Sequence, residues 1–322
     1  MRIHTRVRPV STAIALTALA AVLAGCGDSA GSPQAASTDS ATAQSGDTIV
    51  FAAVPSENSQ SLHSQYGNLV RLLEKETGKK VAYQDATDYA AVIEGQRAGK
   101  IDIAGYGPFS YKIAKDSGVP IEPLAAGITK KGDTPGYHST AWTRPDTGIR
   151  DLAGTKGKKV CFVDPASTSG NLVPSAGLLA VGIDPTKDLT QVFAGAHDAS
   201  MISTSTGQCD AGFSQDSMMP SLIEKGQLKE AQLVQIWTSE VIPGSPLAMN
   251  TSTLDASTQE TLKAVFQDKA NVEYMTANGI CSDGSCTMPG DATWGYAAVT
   301  DSTYDPIRKV CDATKASACN PT

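Results

Sequence analysis

Three consecutive hydroxyl residues, Ser167, Thr168 and Ser169, stand beside Gly170 between an apolar run and a stretch able to form a helix. This is the composition of an oxyanion cradle. The first turn of a helix leaves about four N–H groups without intrahelical partners, and the aligned peptide dipoles place roughly half a positive charge there. An oxyanion satisfies both, and neighbouring hydroxyls add donors without a buried ammonium group. Gly170 is expected to let the backbone approach a ligand closely. The same hydroxyls also serve as helix caps and turn formers, so the tripeptide alone leaves both readings open.

Position for such a cradle comes from the elements around it. Val160 to Val163 is a short apolar run rich in β-formers, as in a buried parallel strand, stopped by Asp164-Pro165 and followed by a helix over Leu172 to Val181. Upstream, Thr48 to Val54 reads as a strand and Pro55 to Gln60 as a loop. A helix over Tyr66 to Thr77 follows, then a strand over Lys80 to Gln84, a helix over Asp88 to Ala98 and a strand over Ile101 to Ala104. After a helix over Ser110 to Ser117 and a strand over Pro120 to Ile128, the extended Tyr137 to Thr143 leads into a second alternation. That one comprises strands over 190–193, 209–213 and 233–237, with helices over 198–206 and 218–224 between them. Leu247 to Asn250 crosses back, and Ser257 to Met275 reads as one long helix packed on the first half. Such alternation implies α/β lobes, each a mostly parallel sheet flanked by helices, joined by two crossover strands, with ligands beyond the strand carboxyl ends. The expected lobes are 48–136 with 248–322, and 137–247.

The 322 residues, 41% hydrophobic and 18% charged, are enough for two domains. Arg2, Arg6 and Arg8 precede an apolar segment ending in Leu23-Ala24-Gly25-Cys26, which resembles a bacterial lipoprotein signal over residues 1–25 with Cys26 as the lipidated residue. Residues 26–47 read as a disordered tether. Without that leader the formal charge moves from 26 − 33 = −7 to 23 − 33 = −10, so a nucleic-acid partner is not expected and an anion must be caught by local donors. Six further cysteines in an exported chain suggest disulfides. Fifteen pairings are formally possible. The short spacings favour Cys281–Cys286 and Cys311–Cys319, which leaves Cys161 with Cys209. No cysteine has a His at ligand spacing, and neither a metal nor a cofactor is expected.

Taken together, ATDYAAVIEGQRAGKIDIAGYGPFSY (86–111), PGYHS (135–139), DPASTSGNLVP (164–174), GAHDAS (195–200) and IWTSEVIPGSP (236–246) resemble the periplasmic phosphonate-binding components of ABC importers. The similarity spans roughly Thr48 to Phe266. It implies a type II periplasmic-binding-protein fold and a non-enzymatic role. The protein would capture a phosphonate, phosphite or related small phosphorus oxyanion and deliver it to a membrane permease, as a monomer held by lipid on the outer face of the cytoplasmic membrane. The resemblance assigns the oxyanion to Ser167, Thr168, Ser169, Tyr66, Tyr106 and His197. Asp216 matches an acidic position of aminoalkylphosphonate binders. Ser245 departs from the pattern, standing where such binders carry an acid, and this weakens the case for an amine ligand. The rival readings are a phosphoester- or phosphonate-cleaving envelope enzyme and a sensor or adhesion lipoprotein on the same fold. Against the enzyme, the sequence has no Gly-x-Ser-x-Gly elbow.

Overall fold

In the computed structural model, residues 46–281, 286–290 and 292–320 are described. The leader, Cys26 and the tether to residue 45 lie outside them.

The chain begins with β1 (Thr48–Ala53), α1 (Ser59–Thr77), β2 (Lys80–Gln84), α2 (Tyr89–Arg97), β3 (Ile103–Gly105), α3 (Pro108–Asp116) and β4 (Ile121–Ile128). β1 pairs in parallel with β2 (Ile49 beside Val81) and with β3 (Phe51 beside Ile103). α1 starts two turns before the expected Tyr66. Its first turns are polar and show no apolar period, and Asn58 caps them by accepting from Ser61 N–H at 3.1 Å, a bond worth about 1 kcal/mol. Gly78, at φ 68°, ends the helix in a left-handed turn.

Next come β5 (Gly136–Tyr137), β6 (Ser139–Thr143), β7 (Lys159–Phe162), a wide turn over Thr168–Leu172, α4 (Val173–Ala180), β8 (Thr190–Phe193), α5 (His197–Ser205), β9 (Ala211–Gln215), α6 (Met218–Glu224) and β10 (Val234–Thr238). The return passes through β11 (Ile242–Pro243) and β12 (Pro246–Asn250) to α7 (Ala256–Ala264), α8 (Val272–Ala277), β13 (Gly295–Ala298) and α9 (Asp305–Thr314).

Two main sheets result, ordered β13-β4-β12-β3-β1-β2 and β10-β6-β9-β7-β8, with β11 and β5 paired in a short ribbon. Within each sheet most strands run one way. β6 and β12, each reached directly after that ribbon, run against their neighbours, and so does the edge strand β13. The first sheet is covered on one face by Leu69, Leu72, Leu73, Leu262 and Phe266, and on the other by Val92, Ile93, Tyr111 and Tyr304. The second is covered by Leu178 and Ile183 on one face and by Met201, Met218 and Leu222 on the other.

The long helix expected over 257–275 is broken instead. Ala270 leaves helical geometry, and Asn271 caps a new helix by accepting from Tyr274 N–H at 2.9 Å. Asn271 also bridges to Gly295, so the sheet edge holds the break open. β13 and α9 lie beyond the last element read from the sequence. All three expected disulfides are present: Cys161–Cys209, Cys281–Cys286 and Cys311–Cys319.

Candidate functional site

The carboxyl ends of β1, β3, β7 and β9 converge on a cavity of about 90 Å³, reached by residues that follow strands of both main sheets. That is far below the roughly 300–1,000 Å³ of sites for drug-sized molecules, so it suits a solute of a few heavy atoms. Six of the seven expected residues line it: Tyr66, Tyr106, Ser167, Thr168, Ser169 and His197. Ser245 lines it as well.

The cradle forms at the wide turn leading into α4. Ser167 Oγ accepts from Gly170 N–H at 3.1 Å, which covers one first-turn donor. Thr168 Oγ1 accepts from Phe109 N–H, the opening turn of α3, at 2.8 Å, so its own hydrogen remains free to point at a ligand. Ser169 is held by its carbonyl, which accepts from Ser139 Oγ at 2.6 Å, while its hydroxyl has no partner among the described residues. Gly170 has a different task from the one expected of it. A methyl group there would overlap the side chain of Val163, so the missing Cβ lets the turn pack on the strand end rather than admitting a ligand.

His197 is 3% exposed, and its Nδ1 accepts from Gln215 N–H at 3.1 Å. That bond fixes the neutral tautomer with the proton on Nε2, leaving Nε2–H as a donor. Burial pushes the imidazole down to about 4, against a smaller upward pull from Glu57. The site therefore presents a neutral histidine. Tyr66, stacked on Tyr83 and tilted against Phe51, has a hydroxyl with no partner among the described residues. Burial and then the charge of Glu57 raise its pKa, so it stays a donor. Gly105 makes room for it: a Cβ at that position would lie 2.9 Å from the Tyr66 hydroxyl.

Two expected residues are placed differently. Tyr106 lies at the cavity, but its hydroxyl donates to Gln96 Oε1 at 2.8 Å inside the core and is not available to a ligand. Asp216 is not brought to the cavity. Its Oδ2 accepts from His138 N–H at 3.0 Å and its Oδ1 from Ser217 N–H at 3.1 Å. Successive side chains of a strand face opposite ways, so with Gln215 at the cavity, Asp216 just beyond the end of β9 turns from it.

The carboxylate on the wall is Glu57, which the sequence reading passed over as part of a polar loop. Among the described lining residues it is the sole Asp, Glu, Lys or Arg. Burial works to raise its pKa, but hydrogen bonds from Lys225, Gln65 and Ser61 outweigh burial and hold it below the usual range. Gln215 and Tyr89, whose hydroxyl bonds to Ser167, complete the polar wall. The arrangement offers neutral donors on one side and one carboxylate acceptor on the other. Among the described residues no group of three or more His, Cys, Asp or Glu is disposed to hold a metal.

The family model described as the periplasmic substrate-binding protein of phosphonate ABC transporters matches residues 51–303. A Mycolicibacterium smegmatis protein named phosphate-import protein PhnD is 42% identical over 285 residues, covering 85% of this chain and 88% of that one. The crystal structure of a binding-protein component of an ABC phosphonate transporter from Pseudomonas aeruginosa is 27% identical with a TM-score of 0.72, covering 85% and 89% of the two chains. At 17% identity, PhnD1 of Prochlorococcus marinus, solved with methylphosphonate, shares the fold at a TM-score of 0.72 over 84% of this chain and 98% of that one.

Proposed function

This chain belongs to the periplasmic substrate-binding proteins of phosphonate ABC transporters, and from that premise we propose how it binds and what. It is an extracytoplasmic solute-binding component of an ABC importer. Its ligand is a small phosphorus oxyanion, held by Ser169 and Thr168 hydroxyls, the first-turn amides of the Thr168–Leu172 segment, Tyr66 and His197 Nε2. The observation that carries this reading is the set of neutral donors without a partner among the described residues, Ser169 Oγ, Tyr66 Oη and His197 Nε2, around one small cavity. Charged acceptors strengthen each such bond to about 1.5–3 kcal/mol. Tyr66 belongs to the part of the chain built on the first sheet, and the cradle and His197 to the part built on the second, so closure of two lobes would complete the site. Delivery is to a membrane permease, with the monomer tethered by lipid on Cys26.

Inorganic phosphate is the second reading, and Glu57 favours it. A carboxylate at the wall accepts a hydrogen bond from a P–OH or an ammonium group and repels a fully deprotonated oxyanion. The Mycolicibacterium relative, named a phosphate-import protein, supports the same ligand. Phosphite, methylphosphonate, 2-aminoethylphosphonate, phosphate and sulfate, compared at equal concentration and ionic strength by thermal stabilisation and calorimetry, decide the matter. At a hundred times its Kd a ligand adds about 2.7 kcal/mol to the folded state. A phosphorus oxyanion should shift the transition most. Greatest stabilisation by sulfate, or by an amino acid included as a control, refutes the assignment.

A further inference from the structure

The loop between β1 and α1 grips the part of the chain built on the second sheet at three consecutive residues, each through a different group. Ser56 O accepts from His197 N–H at 2.9 Å. Asn58 donates its backbone N–H and its side-chain amide to Asp198 Oδ2, at 3.2 and 3.4 Å. Between them, Glu57 Oε2 meets Lys225 Nζ at 2.5 Å. Lys225 stands at the carboxyl end of α6 and also donates to Ser61 Oγ at 2.8 Å, on the first turn of α1. One short loop is thus tied to the start of α5 and the end of α6.

Glu57 and Lys225 are unequal partners. Glu57 is 6% exposed and forms part of the cavity wall, whereas Lys225 is one-third exposed and lies behind that wall, outside the lining. Any anion in the cavity sits near the Glu57 charge, and Lys225 is the cation that offsets it.

We propose that Lys225 is a positioning residue for ligand capture: its pairing with Glu57 latches the two halves together over an occupied cavity and so sets how slowly a bound oxyanion leaves. The inference rests on the ligand-binding reading above. Glu57 and Lys225 are carried by different sheets, so their bond exists only when the halves meet. Apart, both groups return to water. A ligand shifts such an equilibrium only by its extra contacts in the closed state, and a latch in that same state adds to them without touching the ligand. Its effect therefore falls on escape rather than on entry.

The test compares wild type with Lys225→Met and Lys225→Arg, using inorganic phosphate and methylphosphonate as probes in stopped-flow binding and small-angle scattering. Lys225→Met keeps the stem and removes the charge. Its dissociation rate should rise about tenfold or more while association changes little, and its ligand-bound radius of gyration should exceed that of wild type. Lys225→Arg should restore both, which loss of general packing would not allow. A wild-type dissociation rate in Lys225→Met overturns the latch, as does an arginine variant no better than the methionine one. Wild-type protein that binds neither probe refutes the ligand assignment instead. The latch is then decided by scattering of ligand-free protein, where Lys225→Met must be the more open and an identical profile overturns it.

Discussion

Acidification should weaken this fold through His197 in a way that can be isolated. Free histidine titrates at 6.5, and burial beside Gln215 N–H pushes His197 down to about 4 in the native protein. Between those values the unfolded chain binds a proton that the folded chain refuses, so stability falls as the pH is lowered through 6.5 and continues to fall toward 4. With these two values, going from pH 7 to pH 5 costs about 1.8 kcal/mol. For a domain of this size that lowers Tm by about 4–7 °C. His197→Asn provides the reference, because its side-chain oxygen can still accept from Gln215 N–H but cannot titrate. Calorimetric melts of both ligand-free proteins at pH 7 and pH 5 should show the wild type losing more by that amount, whatever the variant's absolute stability. The remaining titratable groups are common to both proteins, so the difference isolates position 197. Parallel losses would refute the reasoning, since they would mean that His197 is not held neutral by burial.

Ser169→Ala should weaken oxyanion binding about ten- to a hundredfold with little change in Tm, because its hydroxyl has no partner among the described residues. Thr168→Ala should lower both affinity and stability, since it also uncaps Phe109 N–H. Calorimetric titration with thermal melts checks the pair, and wild-type affinity in Ser169→Ala would leave the cradle without its central donor. Tyr66→Phe should cost affinity and Tyr106→Phe should cost stability, about 1–3 kcal/mol for stranding Gln96 Oε1 in the core. The reverse pattern in urea unfolding and ligand titration would mean that the two hydroxyls have been assigned to the wrong environments.

Local chemistry in the sequence determined a good deal of this protein. The apolar run at Val160–Val163 followed by hydroxyls and Gly170 marked a strand, a loop and a helix start, because short-range sterics and unpaired first-turn amides act within a few residues. The alternation of strands and helices carried the two-sheet architecture, and the short cysteine spacings at 281/286 and 311/319 carried two of the disulfides and, by exclusion, the third. Orientation was another matter. Whether Tyr106 turns its hydroxyl to a ligand or to Gln96, and whether Asp216 or Gln215 faces the cavity, depends on strand register and on α2 packing behind the sheet. Glu57 looked like one polar loop residue among several. It became the cavity's carboxylate only when the fold brought Lys225, 168 residues away, to its Oε2. Backbone hydrogen bonding and periodicity operate over a handful of residues and leave a trace in the sequence. The pairing of side chains across two sheets is a property of the assembled core, and the tertiary structure alone decided it.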